Sequence, residues 1–197
     1  METHITIGSF DWLEARRTKI TGTDAPIIMR VSPYCTPFEL YHKKVENLEQ
    51  LVTPAMRRGV DLEPIARDIF EETMGIFVMP RFQLHKDPES FMAASFDGIN
   101  DDGIVLEIKC PSKKEHELAL THVVTEKYRP QLMHQMCVAG VDEMYFMSYS
   151  PDHKTPFVIF KFYQDPIALE KMIEEEKKFY DLLKNRTPPT PDKRDLT

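Results

Sequence analysis

FDGINDDGIVLEIKCP, residues 96–111, decides the fold. Two apolar runs flank Asp101-Asp102-Gly103, which suits a three-residue hairpin loop with Gly103 in the left-handed region. In that register Asn100 faces Ile104, Asp97 lies opposite Glu107, and Ser95 lies opposite Lys109. Alternation then places Ser95, Asp97, Glu107 and Lys109 on one face, and Phe96, Leu106 and Ile108 on the other. A two-residue turn would set Asp97 against Leu106 and scramble the faces, so that register is rejected. Directly opposed carboxylates, with Cβ atoms about 4.5–5.5 Å apart, repel each other. A divalent ion with oxygen ligands at about 2.1 Å fits between them. Lys109 then adjoins the ion, placed to orient or deprotonate a water attacking phosphorus. The competing reading is a surface hairpin whose charged face is merely solvated.

The rest of the chain sets bounds on this reading. With 197 residues, 42% of them hydrophobic, it suits one globular domain. Both signs of charge are interspersed and make up 29%, which argues against general disorder. No apolar run approaches the roughly 20 residues of a membrane span. The start, METHITIGSFDWLEARR, has no basic region followed by an apolar run, so no secretory signal is expected. Cys35, Cys110 and Cys137 are odd in number, widely spaced and without a CxxC pair, which argues against a disulfide framework or structural zinc site. An intracellular, reduced, soluble protein is the simplest expectation. The net charge of −7 argues mildly against nucleic acid, but a whole-chain sum hides local patches. Basic residues cluster at Arg16, Arg17 and Lys19, at Arg57 and Arg58, and at Lys109, Lys113 and Lys114.

Periodicity and punctuation give the remaining elements. Short helices are expected over 10–17, after Thr21-Gly22-Thr23-Asp24, and after the capping box Thr36-Pro37-Phe38-Glu39. Residues 61–74 form the clearest amphipathic helix, with Leu62, Ile65, Ala66, Ile69, Phe70 and Met74 on one stripe and Gly75 ending it. Pro64 should mark a start or bend there. Strands are expected over 77–84, 93–100, 104–110, 143–150 and 155–163. A helix covers about 126–139, and a long one runs from Asp165-Pro166 to about Lys184. This predicts a domain over 1–186 and a mobile tail over 187–197, whose three prolines break any period. The fold class is α/β, a central mixed sheet flanked by helices.

Three groups surround the hairpin. Glu63 sits at the edge of its helix's apolar stripe and can point into a cleft beside the sheet. Gln131, His134 and Gln135 share one face of the following helix at i, i+3 and i+4, which alternatively reads as exposed polar surface. Arg16 with Thr21-Gly22-Thr23 can grip a phosphate, bidentately through the guanidinium and through a hydroxyl at a helix N-terminus; a simple cap and a surface arginine is the competing reading.

Taken in order, the motifs Trp12…Arg16…Ile20-Thr21-Gly22-Thr23, Arg58-Gly59…Glu63-Pro64…Ala66-Arg67, Ser95-Phe96-Asp97-Gly98, Leu106-Glu107-Ile108-Lys109-Cys110-Pro111 and Tyr128…Gln131…Gln135 resemble the PD-(D/E)xK nuclease superfamily. More narrowly, they resemble its lambda exonuclease and YqaJ-like viral recombinase family. The resemblance implies a restriction-endonuclease-like core and a 5′→3′ exonuclease acting on linear double-stranded DNA. It implies Mg²⁺, with Mn²⁺ substituting and two ions per site. Asp97, Glu107, the Ile108 carbonyl and Glu63 would hold metal, and Lys109 would position the nucleophilic water. Arg16, Thr23, Ser95, Gln131 and Tyr128 would receive DNA and its 5′ phosphate; Thr23 stands where the family often has serine. A ring-shaped homotrimer, a single-strand annealing partner, and a phage or prophage protein in the bacterial cytoplasm are also implied. A ring could turn basic residues inward and keep an acidic outer surface, which would reconcile the net charge with DNA. Two rivals remain: another nuclease of this superfamily, such as a restriction-type endonuclease or junction resolvase, and a non-catalytic DNA-binding protein of the same fold.

Overall fold

The computed structural model describes residues 5–48 and 52–196. Its elements are α1 (Phe10–Thr18), β1 (Ile20–Thr21), α2 (Ala25–Ile28), α3 (Pro37–Val45), α4 (Pro54–Met74), β2 (Met79–Leu84), β3 (Met92–Ile99), β4 (Val105–Lys109), α5 (Lys113–Ala119), α6 (Arg129–Ala139), β5 (Glu143–Tyr149), β6 (Phe157–Tyr163) and α7 (Pro166–Lys184). The sheet runs β1-β3-β4-β5-β6, with β2 also paired to β3. β1 lies parallel to β3, and β4 parallel to β5; the other pairings are antiparallel. Among the described residues no helix is long and apolar enough to cross a membrane.

Two apolar clusters cover the two faces of the sheet. Phe96, Ile99, Val105, Met144 and Phe146 pack with Leu132 and Met136 of α6 and Met172 of α7. On the other face Leu106, Ile108 and Met147 pack with Ala66 and Phe70 of α4. A third cluster joins Ile20 to α2, α3 and Phe179 of α7.

The local signals act as their chemistry requires. Thr36 and Glu39 form both bonds of a capping box. Asp165 accepts from the N–H groups of Ile167 and Ala168 ahead of Pro166. Gly75 and Gly140 end α4 and α6 in the left-handed conformation. α4, however, begins at Pro54 rather than 61 and continues through Pro64. Thr53 caps it by accepting from the Met56 N–H, with Pro54 in the first turn. Pro64 deprives the Val60 carbonyl of its donor, but Val60 is 69% exposed, so water can replace it. On the expected stripe Ala66 and Phe70 are buried, whereas Ile65 and Met74 are exposed. α6 starts at Arg129, three residues later than expected.

The hairpin register is as read: Ile99 pairs with Val105 and Gly98 with Leu106, and Gly103 has φ of 81°. Its faces differ from the expectation. On the β2 side Met79 pairs with Ile99 but Arg81 with Phe96, so Asp97 and Gly98 together oppose Pro80. This bulge adds a residue and reverses alternation beyond it. Phe96 therefore lies with Ile99 and Val105 under α6, not with Leu106 and Ile108. The β3–β4 ladder also stops at Gly98–Leu106, so Asp97 and Glu107 are not a cross-strand pair. Gly98 admits no side chain here: a Cβ would sit 2.5 Å from Val78 Cγ2 and 3.3 Å from Leu106 Cβ. Val78 is buried and cannot yield. Gly98→Ala is expected to destabilise the protein by about 1–3 kcal/mol, the scale of overpacking a core; urea denaturation measures it.

The 187–197 segment, expected to be a mobile tail, carries a 3-10 turn over Lys193–Leu196. Thr36 Oγ1 donates to Asp195 at 2.5 Å, and Arg194 donates to the Ser32 carbonyl at 2.9 Å. Prolines exclude a regular helix there but leave these side chains able to bond.

Candidate active site

Where the β3–β4 ladder opens, side chains take over the hydrogen bonds a neighbouring strand would supply. The Ile108 N–H donates to Asp97 Oδ2 at 2.8 Å. The Ser95 carbonyl accepts from Gln135 Nε2 at 3.0 Å, and the Ala93 carbonyl bonds His134 Nε2 at 2.9 Å. The bulge aims the Asp97 carboxylate into this gap.

Glu107 lies at its centre, 1% exposed. Gln131 Nε2 donates to its Oε1 at 2.6 Å, and Gln135 Nε2 to its Oε2 at 2.6 Å. Lys109 Nζ donates to Glu107 Oε1 and, at 3.0 Å, to Gln131 Oε1. The same ammonium lies 5.1 Å from the centre of the Tyr128 ring. Glu63 projects from α4, its carboxylate held by Arg67 at 2.6 Å; Arg67 also donates to the Asp97 carbonyl at 2.6 Å. The polar face of α6 is thus buried rather than solvated: Gln131, His134 and Gln135 all lie inside. Behind it His134 pairs with Glu176 of α7 at 2.8 Å, both fully buried. Burial alone would push the His134 imidazole down, but Glu176 outweighs it and holds it up.

The electrostatics of this node are unbalanced. Burial, then the charges of Glu107 and Glu63, hold the Asp97 carboxyl well above the usual carboxylate range. Burial also raises Glu63, with Arg67 opposing and Glu107 adding. Burial alone would lower Lys109, yet Glu107 and Asp97 prevail and hold it above the usual lysine range. The Lys109 ammonium donates to Glu107 and Gln131. Three carboxylates face two cations, Lys109 and Arg67. A hard divalent ion suits this all-oxygen surplus in kind. Among the described residues, no three His, Cys, Asp or Glu side chains form a ready-made cage. The carboxylates close instead on Lys109, Arg67 and the two glutamines.

The second group adjoins the first. Arg16 donates to Thr23 Oγ1 at 3.3 Å and lies 4.9 Å from the centre of the Trp12 ring, while Trp12 Nε1 donates to Ser95 Oγ at 3.2 Å. Gly22 packs against Gln131 and Gln135, where a Cβ would meet both side chains at 3.4 Å. All the residues singled out in the sequence are therefore brought to one region. Gln135, Arg67 and Asp24 appeared in the sequence motifs without an assigned role; the support sequence reasoning missed is Lys44. Lys44 is buried and donates to the Arg16 carbonyl at 2.6 Å, the Lys19 carbonyl at 2.9 Å and Asp24 Oδ2 at 2.8 Å. Asp24 also accepts from the Thr21 N–H at 2.8 Å and hydroxyl at 2.9 Å, bracing the loop that carries Thr23. Arg67 was signalled by its i+4 spacing from Glu63. No sequence spacing signalled Lys44.

Comparison with known proteins follows the same residues. Residues 11–142 match the YqaJ-like viral recombinase domain. The chain is 28% identical over 177 residues to the uncharacterised protein YqaJ of Bacillus subtilis (strain 168), covering 87% of this chain and 55% of that one. The chain thus spans about half the length of that curated relative. The alkaline exonuclease LHK-Exo from Laribacter hongkongensis superposes with a TM-score of 0.77 at 25% identity, over 90% of this chain and 94% of that one. Its complex with dAMP superposes equally well. A phage-related exonuclease from Haemophilus somnus 129PT shares the fold, with a TM-score of 0.59 at 12% identity over 85% of this chain and 96% of that one. The architecture is the PD-(D/E)xK fold.

Proposed function

The chain belongs to the YqaJ-like viral recombinase domain family, and from that premise we propose that it is a nuclease that degrades one strand of linear double-stranded DNA from its 5′-phosphorylated end. The observation that carries this is a single junction: the Asp97–Glu107–Lys109 node shares Gln131 with the Arg16–Thr23 loop. A hydrolytic centre and an anion grip thereby sit side by side, as end-directed cleavage requires.

Arg16 and the Thr23 hydroxyl hold the terminal phosphate, with Ser95 and Gln131 completing the pocket and Tyr128 walling the lysine. Lys109 donates to the attacking water and fixes its line of approach. Gln131 and Gln135 hold the Glu107 carboxylate still while charge develops beside it. Asp97, Glu107, the Ile108 carbonyl and Glu63 would hold Mg²⁺ or Mn²⁺, up to two ions, supplying charge neutralisation at the scissile phosphate. Exposed 3′ single strand would pass to an annealing protein. Three copies in a ring would face the basic clusters inward and leave the acidic surface outside, which reconciles a net charge of −7 with a DNA substrate.

Digestion of linear duplex with 5′-phosphate or 5′-hydroxyl ends, beside closed circular duplex, tests the proposal. Expected is loss of linear DNA only, requiring Mg²⁺ and stopped by EDTA. Phosphorylated ends should be preferred about ten- to a hundredfold, the scale of one charge-assisted bond, and Arg16→Ala should erase that preference. Cutting of the circle would replace this reading by an endonuclease. Binding without hydrolysis under any divalent ion would leave a DNA-binding protein.

A further inference from the structure

Beyond Lys109 the sheet opens into a cleft of about 690 Å³ whose lining includes Arg58, Cys110, Lys113, Asp152, His153 and Lys154. We infer that this cleft is the binding track for the phosphodiester backbone immediately downstream of the cut, on the strand being hydrolysed. The inference rests on the function proposed above and adds a site to it.

Topology sets the neighbourhood. β3 starts at the end of the sheet where β4 and β5 finish, because β3 is antiparallel to β4 and β4 is parallel to β5. β1 pairs with that start, Thr21 opposite Ala93, and the Thr23 loop follows it. β1 and β4 share one edge of β3, because Ala93 pairs with both Thr21 and Leu84, and Ile99 with both Val105 and Met79; the end-phosphate grip, Lys109 and the cleft therefore all lie at the end of the sheet where β4 and β5 finish. A strand with its 5′ end at Arg16 and its first linkage at Lys109 reaches the cleft across Cys110, which follows Lys109 in the chain and lines the cleft.

The chemistry suits a polyanion. Arg58, Lys113 and Lys154 line the cleft, against Asp152 and Glu117. Arg58 is fixed by donating to the Cys110 carbonyl at 3.3 Å, and its guanidinium lies 3.8 Å from Asp152, which is almost wholly exposed. Lys113 and Lys154 are exposed, and no carboxylate among the described residues pairs with either. The turn that carries Lys154 is held from below. Buried His116 bonds Ser148 Oγ through Nδ1 at 2.8 Å and the Thr155 carbonyl through Nε2 at 2.8 Å. The lysines thus belong to a braced cleft whose lining begins at Cys110, one residue beyond the proposed catalytic lysine.

The test compares wild type with K113Q/K154Q, both changes lying on the surface. Two 5′-phosphorylated linear duplexes are used, one unmodified and one with neutral methylphosphonates at the second and third linkages of the digested strand. Fluorescence anisotropy in EDTA reads binding, and digestion in Mg²⁺ reads KM and kcat. Neutral linkages should weaken wild-type binding about tenfold, the scale of one or two lost phosphate contacts. The variant should bind unmodified DNA about tenfold more weakly, with its salt dependence shallower by about one to two contacts. It should lose nothing further from the neutral linkages, and its kcat should stay near wild type while KM rises. Wild type that digests DNA while the variant remains equally sensitive to neutral linkages would overturn the cleft and leave the nuclease standing. Wild type with no hydrolysis of the unmodified duplex would overturn the nuclease, and the cleft with it.

Discussion

Replacing Lys109 by alanine is expected to lower digestion of 5′-phosphorylated duplex by about a thousandfold, the scale of removing a preorganised charged donor from a hydrolytic site. The ammonium is held by Glu107 and Gln131 and is kept protonated by Glu107 and Asp97. Alanine removes both the donor proposed to orient water and the cation that bonds Glu107. Lys109→Arg should not rescue activity. A planar fork cannot take the place of a compact ammonium wedged between Glu107, Gln131 and the Tyr128 ring. Circular dichroism checks that the fold persists, and single-turnover digestion measures the loss. Activity within tenfold of wild type would remove Lys109 from the mechanism.

Asp97→Asn is the second large effect, and it separates activity from stability. Asparagine keeps an oxygen for the Ile108 N–H and removes a charge repelled by Glu107 and Glu63. Digestion should fall below detection, while the melting temperature in EDTA near neutral pH stays level or rises by a few degrees, as relief of strain at a functional site allows. The pH dependence has a definite sign. The folded Asp97 carboxyl is raised above its unfolded value, so across that window the folded state binds more protons than the unfolded one. Stability is therefore full at pH values below the unfolded value, and is lost as pH rises through the ordinary carboxylate range toward the raised folded value. Glu63 is raised as well and acts in the same direction. Wild type in EDTA should show this decline, and Asp97→Asn should flatten it. Added Mg²⁺ should restore wild-type stability at the upper end of the window and leave the variant unmoved. Parallel melting curves for the two proteins would mean that the carboxylates are not in conflict.

The two predictions draw on different parts of the molecule. Lys109 was legible because Glu107-Ile108-Lys109 is contiguous and alternation alone puts the glutamate and lysine on one face. Asp97 was legible as a residue but not as a geometry. Its carboxylate reaches the Ile108 N–H only because Asp97 and Gly98 bulge against Pro80 and the hairpin ladder ends two pairs from the turn. Nothing in 96–111 states that, since the bulge depends on β2 and the gap is filled from α6.

What the sequence determined by itself is what depends on neighbours within a few residues. That covers the caps at Thr36 and Asp165, the glycine stops at Gly75 and Gly140, and the Gly103 turn with its register. It also covers the singling-out of Asp97, Glu107, Lys109, Glu63 and Gln131 as candidates, which the fold gathers into one cluster. Tertiary structure decided which polar residues are buried and what satisfies them. Gln135 and His134 read equally well as surface until α6 is laid over the gap, and Lys44 reads as an ordinary helix lysine until Asp24 and two carbonyls surround it. The reason is energetic: burying a polar group costs free energy that hydrogen bonds must offset. Those partners come from segments far apart in the chain, which only the packed fold brings within hydrogen-bond distance.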